Sequence, residues 1–279
     1  MTVIYKQTSD IFDMAQHAIE IKNRGQADLG FGLSPAMSFD ESSAIGLQGG
    51  YWPEGTKDIA PVEMPLDALQ TNDMLLPRVE AAVVGGRVNV PAMLSGSPVS
   101  MYRVHQSHKV KRVIRLGVDI GGNCRIESET LYNRGSAVLS AVDTLNAAGF
   151  AVEVTALQTF CTDSDSIILE TLIKEADRSW SPDSFAFALA NDAFFRHFGW
   201  YMVADMVVTG DKEQRAAAKR VRYSGLGNGT RGEALKLPER YDLFFPYITD
   251  NAPYNSPESA RATVRDYVNN RLNAMAEAA

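Results

Sequence analysis

The sequence predicts an α/β fold: a single domain with a mostly parallel central sheet flanked by helices and a loop-rich N-terminal part. Three observations predict it. A strand–helix–strand run occupies residues 110 to 159, which implies a parallel pair joined by a right-handed crossover. The 279 residues are 45% hydrophobic and 22% charged, an ordinary globular balance, and a chain of this size buries roughly 75% of its unfolded surface. Only two cysteines, Cys124 and Cys161, are present, and there is no internal repeat. That is too little for a disulfide scaffold or a structural zinc site.

The first hundred residues read as irregular. Residues 9 to 24 are the exception: Ser9 is placed to cap a helix whose Ile11, Met14, Ala18 and Ile21 share one face. Residues 25 to 63 carry many Gly, Ser and Pro, with one short helix expected near Asp40 to Leu47. Residues 79 to 92 suggest two short strands turning at Gly85-Gly86.

The middle is more regular. Residues 110 to 118 read as a strand, and 127 to 147 as a helix with Leu131, Val138, Val142 and Leu145 inward and Gly149 as its C-cap. Residues 150 to 159 alternate like a strand, and Ile167 to Ile173 suggests another. An aromatic-rich helix is expected from Pro182 to Val207, and a strand over 241 to 248. The aromatics at three- and four-residue spacing, Phe185 to Trp200, point to core packing. Ser256-Pro257-Glu258 opens a final helix with the stripe Val264, Val268, Leu272 and Met275. The expected organisation is 1–100 loop-rich and packed on the core, 101–250 an α/β core, and 251–279 a C-terminal helix.

No run of 18 apolar residues occurs, and the first ten lack an apolar signal core. A cytoplasmic protein is expected, in the host cytoplasm if the source is viral. No cofactor motif is complete. Asp119-Ile-Gly121-Gly122-Asn123 follows the first strand of the βαβ unit, where open sheets bind ligands. A metal site of von Willebrand A type wants Asp-x-Ser-x-Ser there. Gly121 and Asn123 stand where the hydroxyls belong, so a tight turn with positive φ at Gly121 and Gly122 is the expectation. Asp163-Ser-Asp165 reads as a turn or cap. Gly227-x-Gly229-x-x-Gly232 has dinucleotide spacing, but a basic helix precedes it and no strand does. The four histidines, His17, His105, His108 and His197, accompany no hydrolase motif. No enzyme is expected.

Charge carries the strongest functional pattern. The net charge is −7, yet residues 103 to 115 hold Arg103, Lys109, Lys111, Arg112 and Arg115 with no acid. Residues 211 to 232 hold Lys212, Arg215, Lys219, Arg220, Arg222 and Arg231 against Asp211 and Glu213. Gln214 to Tyr223 reads as a helix with Arg215, Lys219 and Arg222 on one face. Tyr223 ends it, and a glycine-rich stretch follows. Basic groups neutralise phosphates, and an exposed ring stacks on a base. The ordinary alternative is a solvated helix face.

The stretch Ser38-Phe-Asp40 … Gly50-Tyr-Trp52-Pro53-Glu54-Gly55 resembles a signature of a family of tailed-phage proteins. Pro91-Ala-Met-Leu-Ser-Gly96-Ser-Pro98 … Met101-Tyr102-Arg103 and the block Ser184 to Arg196 resemble the same family. The resemblance implies a von Willebrand A-like core. In size, acidity and segregated charge the chain also resembles the single-stranded-DNA-binding RNA polymerase cofactor of podophages that encode their own heterodimeric polymerase. That resemblance implies single-stranded DNA and the phage RNA polymerase as partners, and no membrane. Arg215, Lys219, Arg220, Arg222, Arg231, Arg103, Lys109 and Lys111 would contact phosphate, and Tyr223 a base. The alternative is a von Willebrand A-like adaptor partnering an AAA+ ATPase, without nucleic acid.

Overall fold

In the computed structural model, a five-stranded sheet organises the chain, with the strand order β1 (Thr2–Thr8), β7 (Asp165–Lys174), β6 (Phe150–Cys161), β5 (Lys111–Asp119), β8 (Leu243–Phe245). The structure describes residues 2–25, 37–57, 59–62, 64, 77–82, 87–88, 90–94, 96, 101–106, 111–122, 125–162, 164–178, 181–223 and 237–277. For residues 2, 77–82, 87–88, 91–92, 102–106, 111–112 and 222–223 only the backbone is described.

The chain enters through strand β1 (Thr2–Thr8) and helix α1 (Ile11–Asn23). The strand is a departure from the irregular start expected. Its Val-Ile-Tyr core is short, and it becomes a strand by parallel pairing with a segment about 160 residues away, Ile4 opposite Ile167. The cap of α1 is Asp10, one residue after the expected Ser9: its carboxylate accepts the Asp13 N–H at 2.8 Å. Ile11, Met14, Ala18 and Ile21 are buried as the spacing required. Helix α2 (Phe39–Leu47) falls where expected and starts with a capping box between Ser38 and Glu41.

A small sheet follows: β2 (Pro77–Ala82), β3 (Arg87–Val88) and, after the short helix α3 (Val90–Leu94), β4 (Met101–Gln106). The expected β2–β3 hairpin is corrected here. Both strands pair antiparallel with β4, which lies between them. The Gly85-Gly86 turn lies outside the described residues.

The βαβ unit forms as the sequence indicated. Strand β5 (Lys111–Asp119), helix α4 (Ser128–Ala147) and β6 (Phe150–Cys161) give a parallel pair with Ile114 opposite Val152. Leu131, Val138, Val142 and Leu145 of α4 are all buried. Each such side chain removed from water contributes about 1.5–3 kcal/mol. Gly149 ends the helix with φ of 89°, a left-handed conformation that costs other residues energy. Gly135 lets α4 touch helix α5 (Pro182–Ala190), because a Cβ there would overlap the Leu189 carbonyl.

Strand β7 (Asp165–Lys174) returns antiparallel to β6 through a tight turn. The Thr162 hydroxyl accepts the Asp165 N–H at 3.0 Å in that turn. The single helix expected over 182 to 207 is interrupted. Asn191 is extended (φ −107°, ψ 126°), and its side-chain carbonyl accepts the Ala193 N–H at 2.9 Å. A π-helical segment, Phe194–Gly199, then leads into α6 (Trp200–Thr209). Phe185, Phe187, Phe194 and Phe198 are core residues, as their spacing suggested.

Helix α7 (Lys212–Tyr223) follows, and later strand β8 (Leu243–Phe245), shorter than expected, pairs parallel with β5. The last helix, α8 (Pro257–Glu277), begins after Ser256, whose hydroxyl accepts the Ser259 N–H at 3.2 Å. Val264, Val268 and Leu272 pack it on its own domain, against α4.

The two faces of the five-stranded sheet differ. Ile114, Leu116, Val118, Val152, Val154, Ile167 and Leu169 join the helices in the main core. The alternate residues point the other way. There Leu157 and Ile168 form a smaller cluster with Leu237 and Phe244, and Tyr241 packs on it. The α/β class and the mostly parallel sheet are as the sequence predicted.

Candidate nucleic-acid interface

Helix α7 owes its placement to three small apolar residues. Ala217, Ala218 and Val221 are buried in the main core. The Asp211 carboxylate starts the helix, accepting the Glu213 and Gln214 N–H groups at 2.8 and 2.9 Å. The spacing that turns the alanines inward turns Arg215 and Lys219 outward, four residues apart. Both are exposed, as is Lys212, and none of the three makes an ion pair among the described residues.

Arg220 is different, because a carboxylate already engages it. Its guanidinium grips the Asp165 carboxylate with two parallel bonds, Nε–Oδ2 at 2.6 Å and Nη2–Oδ1 at 2.9 Å. Asp165 also accepts the Ser164 hydroxyl at 2.6 Å. The Arg220 hydrogen bonds lead in holding its carboxyl down to about 2, with Ser164 adding to them. Arg220 therefore anchors α7 to the start of β7, and Asp165 is the acceptor of that anchor as well as a residue of the turn.

The remaining candidates divide. Lys109 and Arg231 lie outside the described residues. Arg103 sits in β4, Lys111 in β5, and Arg222 and Tyr223 at the end of α7, with only their backbones described. Arg115 is described. It alternates with Ile114 and Leu116, so it projects from the sheet face opposite the main core, into a groove with Glu153, Glu170 and Tyr241. Arg115 and α7 thus lie on opposite sides of the sheet.

Asp119 ends β5 and is 1% exposed. One carboxylate oxygen accepts the Gly121 N–H at 3.1 Å, and the other accepts the Thr159 hydroxyl. Burial pushes its carboxyl up to about 6, against the pull of these two donors. Neither Gly121 nor Gly122 has positive φ, which corrects the turn expected. They are required for contact: a Cβ on Gly121 would sit 2.8 Å from the Tyr247 ring, and one on Gly122 3.1 Å from Ile126. Among the described residues no group of three or more His, Cys, Asp or Glu could hold a metal.

The side chains of His17 and His197 are described, and both have structural partners. His197 is fully buried, with Nδ1 at 2.8 Å from the Ser42 hydroxyl. His17 Nε2 lies 3.2 Å from Asp205. Trp52 packs on Phe187 and Tyr132, leaving Tyr51 the exposed member of that loop. Sequence reasoning missed the groove beside Arg115. Its lining comes from β1, β5, β6, β7 and residues 239–241, and nothing local in the sequence marks such an assembly. No helix is long and apolar enough to cross a membrane among the described residues.

A comparison with curated proteins and one with solved structures return no match. The model of a family described as a domain of unknown function, DUF7192, matches residues 6–271. That span runs from β1 into α8 and takes in both sheets, so the chain belongs to the DUF7192 family.

Proposed function

We propose that this chain is a non-enzymatic protein that binds single-stranded DNA along the outer face of α7 and serves a phage RNA polymerase as a transcription cofactor. One observation carries the DNA contact. Lys212, Arg215 and Lys219 stand exposed on one amphipathic helix without ion-pair partners among the described residues, in a chain of net charge −7. Such cations gain free energy by releasing counterions from phosphates, and an acidic body limits indiscriminate association. Arg222 and Tyr223 continue the same helix and complete the contact in this reading. The polymerase partnership rests on the resemblance of the sequence. The adaptor alternative needs an Asp119 open to a metal, and both oxygens of that buried carboxylate already accept protein hydrogen bonds.

Anisotropy of a labelled oligonucleotide across a salt series tests the reading. Affinity is expected to fall steeply with salt. Replacing Lys212, Arg215 and Lys219 together by Ala should weaken binding on all sequences alike and flatten the logarithmic salt slope by about 0.7 per lost contact. Absence of binding at low salt overturns the proposal.

A further inference from the structure

Strand β1 is an edge. β7 pairs with one side of it, and among the described residues no strand pairs with the other. It runs seven residues without proline and keeps one register with β7 throughout. Natural sheets usually interrupt such an edge, because its row of unpaired N–H and C=O groups is a template for another strand. The opposite edge is covered: the Phe244 N–H donates to the Tyr267 hydroxyl at 2.8 Å, and Arg271 donates to the Asp242 carbonyl at 3.1 Å, both from α8. At β1 the one charge that could guard the edge, Lys6, is drawn to Asp205 at 3.8 Å. Tyr5 is 48% exposed.

A groove of about 850 Å³ opens beside the C-terminal end of this strand, lined in part by Gln7, Thr8, Glu153 and Leu172. A second hollow of about 470 Å³ shares Ser9, Leu172 and Glu175 with it and reaches Asp177. Glu153, Glu175 and Asp177 make no ion pair among the described residues.

We propose that an extended, lysine- or arginine-bearing segment of a protein partner adds to the free edge of β1 and lays alternate basic side chains in this groove. Edge pairing supplies backbone hydrogen bonds whatever the sequence, and the pockets beside it select side chains. Side chains of an added strand alternate between faces, so every second one would reach the groove. Charge selects the occupant. Six carboxylates line the two hollows against three guanidinium groups, Arg115, Arg178 and Arg240. This acidic excess favours a basic segment, whereas a second copy of this chain brings another net −7 and a β1 whose single lysine is already engaged.

The probe is a fluorescein-labelled heptapeptide of alternating Thr and Arg, titrated with the full chain at low salt. Binding is expected. Glu175→Gln and Asp177→Asn combined should weaken it about fivefold, two exposed pairs each being modest. The same peptide N-methylated throughout keeps its charge, loses its N–H donors, and should not bind. A Thr–Glu peptide should not bind either. Failure of the Thr–Arg peptide to bind, or equal binding by its methylated form, overturns the proposal. So does self-association in sedimentation velocity that the Thr–Arg peptide competes away, which would make a second copy the occupant. The double variant should keep its oligonucleotide affinity, because α7 packs on the other face of the sheet. Failure here is thereby separable from failure of the DNA reading.

Discussion

The Arg134 guanidinium, 1% exposed, donates to the Asp119 carbonyl oxygen at 2.7 Å and to the Pro246 carbonyl oxygen at 2.8 Å. One side chain from α4 thereby ties the end of β5 to the segment leaving β8. Burying a guanidinium is costly, and burial lowers its proton affinity. The Asp119 end of this tie is buried, whereas Pro246 lies at the surface.

Arg134→Met keeps most of the volume and removes both donors. The buried Asp119 carbonyl loses its partner, while the Pro246 carbonyl can turn to water. We expect a loss of about 1–3 kcal/mol, measured by urea unfolding with circular dichroism. A variant as stable as the parent would mean that solvent reaches the Asp119 carbonyl too.

Asp119 gives a pH dependence with a definite sign. Its folded-state carboxyl is pushed up to about 6 by burial, above the ordinary value near 3.9. The native state thus holds the proton longer than the unfolded chain. The stability of the parent relative to Asp119→Asn should fall as pH rises from about 4 to 6, then stay level. The change is on the order of 2–3 kcal/mol. Thermal melts of both proteins from pH 4 to 8 measure it, and parallel curves would contradict it.

The Asp165–Arg220 pair has the opposite sign. Asp165 is held down to about 2, chiefly by the Arg220 hydrogen bonds. Its stabilisation is complete above the ordinary carboxylate value and is lost as pH falls from about 4 toward 2. Arg220→Gln should therefore narrow the gap to the parent in acid and leave it widest at neutral pH. Because Arg220 anchors α7, this variant should also loosen the helix, seen as faster amide exchange at Ala217, Ala218 and Val221.

Gly135 tests the contact between α4 and α5. A Cβ there would overlap the Leu189 carbonyl. In an open helix Gly→Ala stabilises by about 1 kcal/mol. Here overpacking should reverse the sign, with Gly135→Ala costing about 1–3 kcal/mol. A gain in melting temperature would show that the two helices separate easily.

The parts of the fold legible in sequence are those whose cause is local. The helix period of Leu131, Val138, Val142 and Leu145 and the glycine at 149 specify α4 almost to its ends. Ser256-Pro257 does the same for the start of α8. Hydrophobic patterning with a cap places such elements whatever they pack against. β1 escaped because its seven residues become a strand only by pairing with β7. Asn191 breaks a helix that periodicity would continue, by supplying its own side chain to the next turn.

Charge shows the same division. The amino-acid order alone determined that α7 is amphipathic and that its cations outnumber its acids. Arg215, Lys219 and Arg220 look alike in that order. Only the tertiary structure separated them, because Asp165, 55 residues earlier, comes within hydrogen-bonding distance of one and not of the others. It likewise placed Arg115 and α7 on opposite faces of the sheet, since strand alternation and helix packing act independently. In α7, local patterning decides that the element is an amphipathic helix, and long-range pairing decides which of its charges remain exposed.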